Sequence, residues 1–277
     1  MSKQKVVLCL IGISFLLAAC QPPAPPPPPS PTPLVGKITV AGSTTMQPLV
    51  GKLSEIFIQQ HPLVQMEVAA GGSVVGIRAV HEGTADIGMA SRALKDEEAQ
   101  GINVYPIALD ALAIVVNSEN PVTGLTLEQL QDIYFGKITN WKELGGNDLE
   151  IVPVQREISS GTRGAFDEIA LEKQEATAPA LVTVITAGDV AATVAKNPGA
   201  IGYVGFGNLE PHLKVLEIDG ILPSPETIKA GQYRLYRPLS LLTGPNSQPL
   251  AQHFIDFVLS ETGTKYIEEF GWIAVKK

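Results

Sequence analysis

Three times in the first third of the chain, a short apolar run passes into a turn of Ser, Thr and Gly and then into residues at helical spacing. Residues 37–41 alternate as a strand, Gly42-Ser43-Thr44-Thr45 follows, and Leu49, Leu53, Ile56 and Phe57 then recur on one helix face. Pro48 suits the first helical turn, and His61-Pro62 stops the helix. Residues 65–69 lead through Gly71-Gly72-Ser73 into a helix containing Ile77 and Val80, which Gly83 ends. Residues 86–90 deliver Ser91-Arg92 ahead of the polar segment 95–100. Alternating strands and helices need parallel strands covered by helices, so the fold class is α/β. Ligands of such sheets bind beyond the carboxyl ends of the strands, where all three turns fall.

The pattern restarts after Asn117. Residues 105–108 and 111–117 read as two buried strands. Thr126-Leu127-Glu128-Gln129 is a capping box for a helix reaching about Phe135. The run 151–154 is a strand that feeds Arg156-Glu157-Ile158-Ser159-Ser160-Gly161-Thr162-Arg163, and Phe166, Ile169 and Ala170 then share a helix face. Strands are expected at 183–186, 201–204, 215–218 and 239–242. Helices are expected at 189–196, 249–259 and 264–270. Two α/β units joined by strand-like crossings near 111–115 and 237–241 predict two lobes with a cleft between them. The expected bounds are 36–112 plus 238–277 for lobe 1 and 113–237 for lobe 2.

Ser160-Gly161-Thr162 therefore sits at a strand-to-helix turn, where the first helical amides have no intrahelical acceptor. Hydroxyls, free amides, the positive end of a helix dipole and Arg156 together form a receptor for an oxyanion. One such turn taken alone is only an N-cap; several at one sheet edge favour a ligand. Arg92 and Arg163 can contact the anion, pair with Glu157 or Asp86, or lie in solvent. Trp141 and Trp272 read as packing residues.

The amino terminus adds a compartment. Lys3 and Lys5 precede an apolar stretch over 6–19 that has the length of a signal segment and is short for a membrane span. Leu17-Ala18-Ala19-Cys20 resembles the bacterial lipobox, which implies cleavage after residue 19 and lipid on Cys20. The lipid would anchor the protein without a spanning helix. Proline dominates 21–33, a stiff extended spacer in the segment 20–35. With Cys9 inside the signal, Cys20 is the only thiol of the processed chain, so neither an internal disulfide nor a thiolate metal site can form. The histidines, His61, His81, His212 and His253, show no ligand spacing, and no metal or cofactor is expected. The net charge of −8 becomes −10 once Lys3 and Lys5 leave, with 18 basic against 28 acidic residues. That argues against nucleic acid as a partner. It also means that local donors, and not long-range attraction, must gather an anion.

The carriers Ala41-Gly42-Ser43-Thr44-Thr45-Met46-Gln47-Pro48-Leu49, Gly71-Gly72-Ser73-Val74-Val75-Gly76-Ile77, Ala85-Asp86-Ile87-Gly88-Met89-Ala90-Ser91-Arg92, Ile138-Thr139-Asn140-Trp141-Lys142 and 156–163 occur in that order. In this the chain resembles the phosphate-binding proteins of ABC phosphate importers, which have the type II periplasmic-binding-protein fold. The resemblance implies a monomeric, extracytoplasmic, lipid-anchored receptor that passes inorganic phosphate to the permease subunits. It implies a site of Ser43, Thr44, Thr45, Ser73, Ser91, Arg156, Ser160, Gly161 and Thr162. Better-known members carry an acid after the third strand, where this chain has Ser91-Arg92, and another at Ile158 that pairs with the binding arginine. The first departure leaves sulfate open as a ligand, with the Ser91 hydroxyl as the available acceptor. For the second, Glu157 is the nearest substitute.

Two readings from other classes stand beside this one. Ser160 as a hydrolase nucleophile would need a base and an oxyanion hole, and Gly-x-Ser-x-Gly is absent around it. An adhesive or signalling protein on the same fold would bind no anion tightly. The expectation carried forward is a binding protein with no catalytic residue.

Overall fold

The computed structural model describes residues 33–275. The expected signal segment, Cys20 and the proline spacer up to residue 32 lie outside the described residues. The chain runs β1 (Gly36–Gly42), α1 (Gln47–Gln60), β2 (Val64–Ala70), α2 (Ser73–His81), β3 (Ile87–Ala90), α3 (Asp96–Ala99) and β4 (Asn103–Asn117). It continues through β5 (Gly124–Leu125), α4 (Leu127–Tyr134), β6 (Val152–Arg156), α5 (Gly161–Ile169), β7 (Val182–Val184), α6 (Ala187–Lys196) and β8 (Ala200–Gly205). It closes with β9 (Leu213–Val215), β10 (Glu217–Ile218), α7 (Pro225–Lys229), β11 (Tyr236–Thr243), α8 (Pro249–Val258), α9 (Glu261–Glu269) and β12 (Ile273–Ala274).

The main sheet has the order β2-β1-β3-β11-β4-β8-β6-β7. Each end of it is parallel: β1 pairs with β2 and β3, and β6 pairs with β7 and β8. The middle is antiparallel, because β4 and β11 run against each other and against their outer neighbours. The two largest hydrophobic cores among the described residues lie along this sheet. Ile38, Leu49, Leu53, Phe57, Ile87, Ile107, Leu239, Phe254 and Ile255 fill the first lobe. Leu112, Ile114, Leu130, Tyr134, Trp141, Phe166, Ile201 and Tyr203 fill the second. Burying each such side chain contributes roughly 1.5–3 kcal/mol. The cores change over between Ala108 and Ala111 on β4 and between Leu235, just before β11, and Leu239 on it, so these two strands connect the lobes.

β4 is one strand of 15 residues where the apolar pattern predicts two. The pattern breaks at Asp110, yet the backbone stays paired through it, because Asp110 lies opposite Arg237 on β11 and the two side chains form a fully buried ion pair. The predicted strand 215–218 divides at Leu216: β9 pairs with β4, and β10 pairs with β5. β7 ends at Val184, and Thr186 instead caps α6 in a capping box with Asp189, so that helix starts two residues before the expected Asp189. The polar segment 95–100 contains the short helix α3.

The packing that matters most for function holds α5. Its buried face carries Ala165 and Phe166. The Phe166 ring stacks on Tyr203 of β8, with centroids 3.9 Å apart and planes 9° from parallel, and Tyr134 of α4 closes the group at 4.8 Å. Stacked aromatics contribute beyond their buried area. They fix the start of α5 at the carboxyl end of β6.

Candidate oxyanion-binding cleft

The amino ends of α1, α2 and α5 meet where the two lobes touch. At α5, Ser160 is the N-cap and its Oγ accepts from the Arg163 amide at 3.3 Å. The amides of Gly161 and Thr162 begin the helix and have no partner among the described residues. At α1, Ser43 Oγ accepts from the Met46 amide at 3.4 Å, which leaves the Thr44 and Thr45 amides at the helix start. At α2, Gly72 is the N-cap and Ser73 follows, fully buried.

Several of the sequence-predicted residues touch across the cleft. Thr45 Oγ1 lies 3.0 Å from Thr162 Oγ1. Thr44 Oγ1 accepts from the Ala187 amide at 3.3 Å and is only half-buried. Ser91 donates its amide to Ser73 Oγ at 3.0 Å, and the two hydroxyl oxygens are 3.3 Å apart. Gly161 packs against that pair: a Cβ on it would stand 2.1 Å from Ser73 Oγ and 2.9 Å from Ser91 Oγ. Ser43, Thr45, Ser73, Ser91, Arg156, Ser160 and Thr162 are all buried. Buried hydroxyls need partners, and a ring of them facing several free amides supplies donors to an acceptor-rich guest.

Arg156 ends β6 and is 1% exposed. Its Nε and Nη2 both donate to the carbonyl of Ile185, at 3.0 and 2.6 Å, and its amide donates to the Tyr203 hydroxyl at 3.2 Å. Burial pushes its pKa down from the ordinary arginine value, and burial likewise pushes the Tyr203 phenol up. No carboxylate forms an ion pair with Arg156 among the described residues. The other buried arginines are neutralised. Arg92 meets both Glu98 oxygens at 2.6 and 2.7 Å, and Arg237 meets Asp110. The Arg92 contact in turn holds Glu98 below its usual carboxylate range. A buried cation without a counterion costs several kcal/mol unless a guest supplies the charge.

Three alternatives for nearby residues resolve differently from expectation. Glu157 does not pair with Arg156; its carboxylate accepts from the Ser159 amide at 2.7 Å and from Ser159 Oγ at 2.5 Å. Arg92 pairs with Glu98 and not with Glu157 or Asp86, because α3 places Glu98 in reach. Arg163 pairs with Asp167 one turn along α5 and donates to the Arg156 carbonyl. Sequence reasoning missed Ser159, the Ile185 carbonyl and Tyr203. A carbonyl carries no side-chain signal, and Tyr203 sits inside an apolar strand that reads as core.

Ser160 has no histidine among its hydrogen-bond partners within the described residues; His61 packs on Phe57, and His81 bonds the Glu98 carbonyl. The described residues hold no group of three or more His, Cys, Asp or Glu able to bind a metal.

A family model described as the PBP superfamily domain matches residues 27–262. The phosphate-binding protein PstS of Bacillus subtilis (strain 168) is 34% identical over 291 residues, covering 99% of this chain and 95% of that protein. The chain belongs to the PstS family within the PBP superfamily. PstS of Borreliella burgdorferi is 30% identical over 86% of this chain and 90% of its own length. Among solved structures, a phosphate ABC transporter substrate-binding protein from Clostridium perfringens, so described and crystallised with bound phosphate, superposes with a TM-score of 0.84. It is 39% identical and covers 87% of this chain and 100% of its own. An ABC-type phosphate transport receptor from Vibrio cholerae gives a TM-score of 0.72 at 38% identity, over 85% and 99% of the two chains. These PstS relatives are described as binding and transport proteins, not as enzymes.

Proposed function

We propose that the chain captures inorganic phosphate between its lobes and delivers it to an ABC importer. The observation that carries this is Arg156: a buried guanidinium with no carboxylate partner among the described residues, beside the amino ends of three helices. Phosphate would accept from Arg156, from the hydroxyls of Thr44, Thr45, Ser73, Ser160 and Thr162, and from the amides of Thr45, Gly161 and Thr162. Ser43 shapes the turn before α1, and Ser91 faces the anion through Ser73. Charge-assisted donors in a desolvated site are the strong class of hydrogen bond. The relatives described as phosphate-binding, and the phosphate-bound Clostridium perfringens structure, support the choice of anion. No bond in the ligand is made or broken.

In this reading lobe 1 is 36–112 plus 238–277 and lobe 2 is 113–237, hinged on β4 and β11. A ligand shifts such an equilibrium only by its differential affinity, and an anion bonded from both lobes has that preference for the closed form. Cys20 would carry the lipid, placing a monomer outside the cytoplasmic membrane. No helix of the described residues is long and apolar enough to cross a membrane. Delivery to permease subunits is supported by apolar side chains exposed on both sides of the cleft: Ile158 and Ile185 on lobe 2, Val74 and Val75 on lobe 1.

Sulfate is the second reading, and a specific observation favours it. No carboxylate hydrogen-bonds any proposed anion-binding side chain among the described residues, and Ser91-Arg92 stands where better-known members place an acid. Hydroxyls such as the Ser73–Ser91 pair are then what is left to turn a lone pair toward a protonated phosphate oxygen. Calorimetric titration with phosphate and with sulfate, below and above pH 7, decides between them. Tight phosphate and weak sulfate binding is the expected result. Equal binding would make the protein a general tetrahedral-oxyanion receptor, and binding of neither would return it to an adhesive or signalling role.

A further inference from the structure

The lobes are also joined outside the anion-contacting residues. Ser159 precedes the N-cap of α5 and carries two bonds to lobe 1. Its carbonyl accepts from the Val74 amide at 3.1 Å, and its Oγ lies 3.0 Å from the Gly71 carbonyl. Gly72 lies between those two partners, with a φ of +88°. A Cβ there would fall 2.4 Å from Ser159 Oγ and 2.6 Å from its carbonyl oxygen, so the approach requires glycine on steric as well as conformational grounds. Ser159 is itself held. One Glu157 oxygen accepts from its amide at 2.7 Å and the other from its hydroxyl at 2.5 Å. The hydroxyl has a single proton, shared between Glu157 and the Gly71 carbonyl. Glu157 thus fixes both the backbone and the side chain of the residue that reaches across.

We propose that Glu157 and Ser159 form a latch that sets how long the lobes stay closed, with Ser159 bonding to Gly71 and Val74 and Glu157 as its positioning residue. Neither contacts the proposed anion. The idea rests on the oxyanion reading for its ligand and on the seam geometry for itself. Because the latch forms only when the lobes meet, it acts on escape of the anion and not on its arrival, so its signature is a changed dissociation rate at a constant association rate. The acid that other members place at Ile158 is replaced here, in a neighbouring position, by a carboxylate that secures the seam and leaves the binding arginine unpaired.

The test compares the full chain with Ser159→Ala and Glu157→Gln. Stopped-flow release of phosphate and hydrogen exchange at the Val74 amide are both read, the exchange with and without phosphate. Ser159→Ala is expected to release phosphate about tenfold faster, with association unchanged, and to exchange the Val74 amide faster, most strongly with phosphate bound, because only molecules whose lobes meet carry the latch. Glu157→Gln is expected to move both readouts in the same direction by a smaller factor, since an amide can satisfy only one of the two Ser159 donors. Unchanged release and unchanged Val74 exchange in Ser159→Ala would overturn the latch. A wild-type chain that binds no phosphate would overturn the anion reading instead. The exchange comparison without phosphate would then still decide for or against the latch.

Discussion

Thr45 Oγ1 and Thr162 Oγ1 stand 3.0 Å apart, one from the start of each of two helices in opposite lobes. The contact is buried, and either hydroxyl can donate. Thr45→Val or Thr162→Val keeps the shape, removes one oxygen and leaves the other without that partner. Each single variant is expected to weaken phosphate binding by about 1 kcal/mol, roughly fivefold. The double variant should lose less than the sum of the two, because neighbouring residues couple. Calorimetric titration of all three variants checks this.

Arg156→Ala should have opposite effects on the two states. Phosphate affinity is expected to fall by about 3 kcal/mol, roughly a hundredfold, since the charge-assisted donor is gone. The unliganded chain should melt no lower than wild type, because removing a buried unpaired cation offsets the packing lost. Titration and thermal unfolding without phosphate measure the two halves. Near-wild-type affinity would remove Arg156 from the site.

Gly161→Ala is a steric test of closure. The added methyl would meet Ser73 Oγ at 2.1 Å and Ser73 Cβ at 2.8 Å, both on the facing lobe. Opening the cleft relieves the clash, so the expected outcome is phosphate binding weakened at least about tenfold with little change in the melting temperature of the unliganded chain. Small-angle scattering with saturating phosphate should show a variant that does not contract as wild type does.

The Asp110–Arg237 pair is buried on both sides, and burial pushes the Asp110 carboxyl up while Arg237 pulls it back. Asp110→Ala leaves a buried cation and is expected to cost about 3 kcal/mol of stability. Replacing both residues, Asp110→Leu with Arg237→Met, should cost less than Asp110→Ala alone. Denaturant unfolding of the two variants tests the ordering.

Glu98 has a folded pKa held below its ordinary 4.5, first by the hydrogen bond from Arg92. A depressed carboxylate contributes stability that is fully present above the unfolded pKa and is lost as pH falls through the folded value. Wild type is therefore expected to exceed Glu98→Gln by about 1 kcal/mol near neutral pH. The gap should close as pH drops below the ordinary carboxylate range. Thermal unfolding of both proteins across pH 3–7, a window set by the ordinary carboxylate pKa of about 4, gives the comparison.

Much of this architecture was legible along the chain. The repeated strand, hydroxyl-rich turn and helix predict parallel strands in two α/β units with the turns at one sheet edge; the order within the parallel triplets β2-β1-β3 and β8-β6-β7 comes from the structure. Arg156, Ser160, Gly161 and Thr162 declare themselves by residue type, because local free amides and hydroxyls beside an arginine follow from a strand-to-helix turn alone. The continuity of β4 did not show, since Asp110 interrupts the apolar pattern and only its partner on β11, 127 residues away, explains it.

The sequence by itself determined the α/β class, the capping box that opens α4 and the residue types at the cleft, because propensity, capping and hydrophobic period are local properties. The tertiary structure alone decided which charge stays unpaired. The strand-to-helix turn marks Arg156 in the sequence, but nothing local says whether Arg92, Arg156 or Arg237 has a carboxylate partner. Arg92 and Arg237 find Glu98 and Asp110 in space, while Glu157, one residue from Arg156, turns to Ser159. Adjacent side chains on an extended backbone point to opposite sides, so proximity in sequence does not pair Glu157 with Arg156, and the tertiary packing around each guanidinium decides which buried arginine is left without a carboxylate partner.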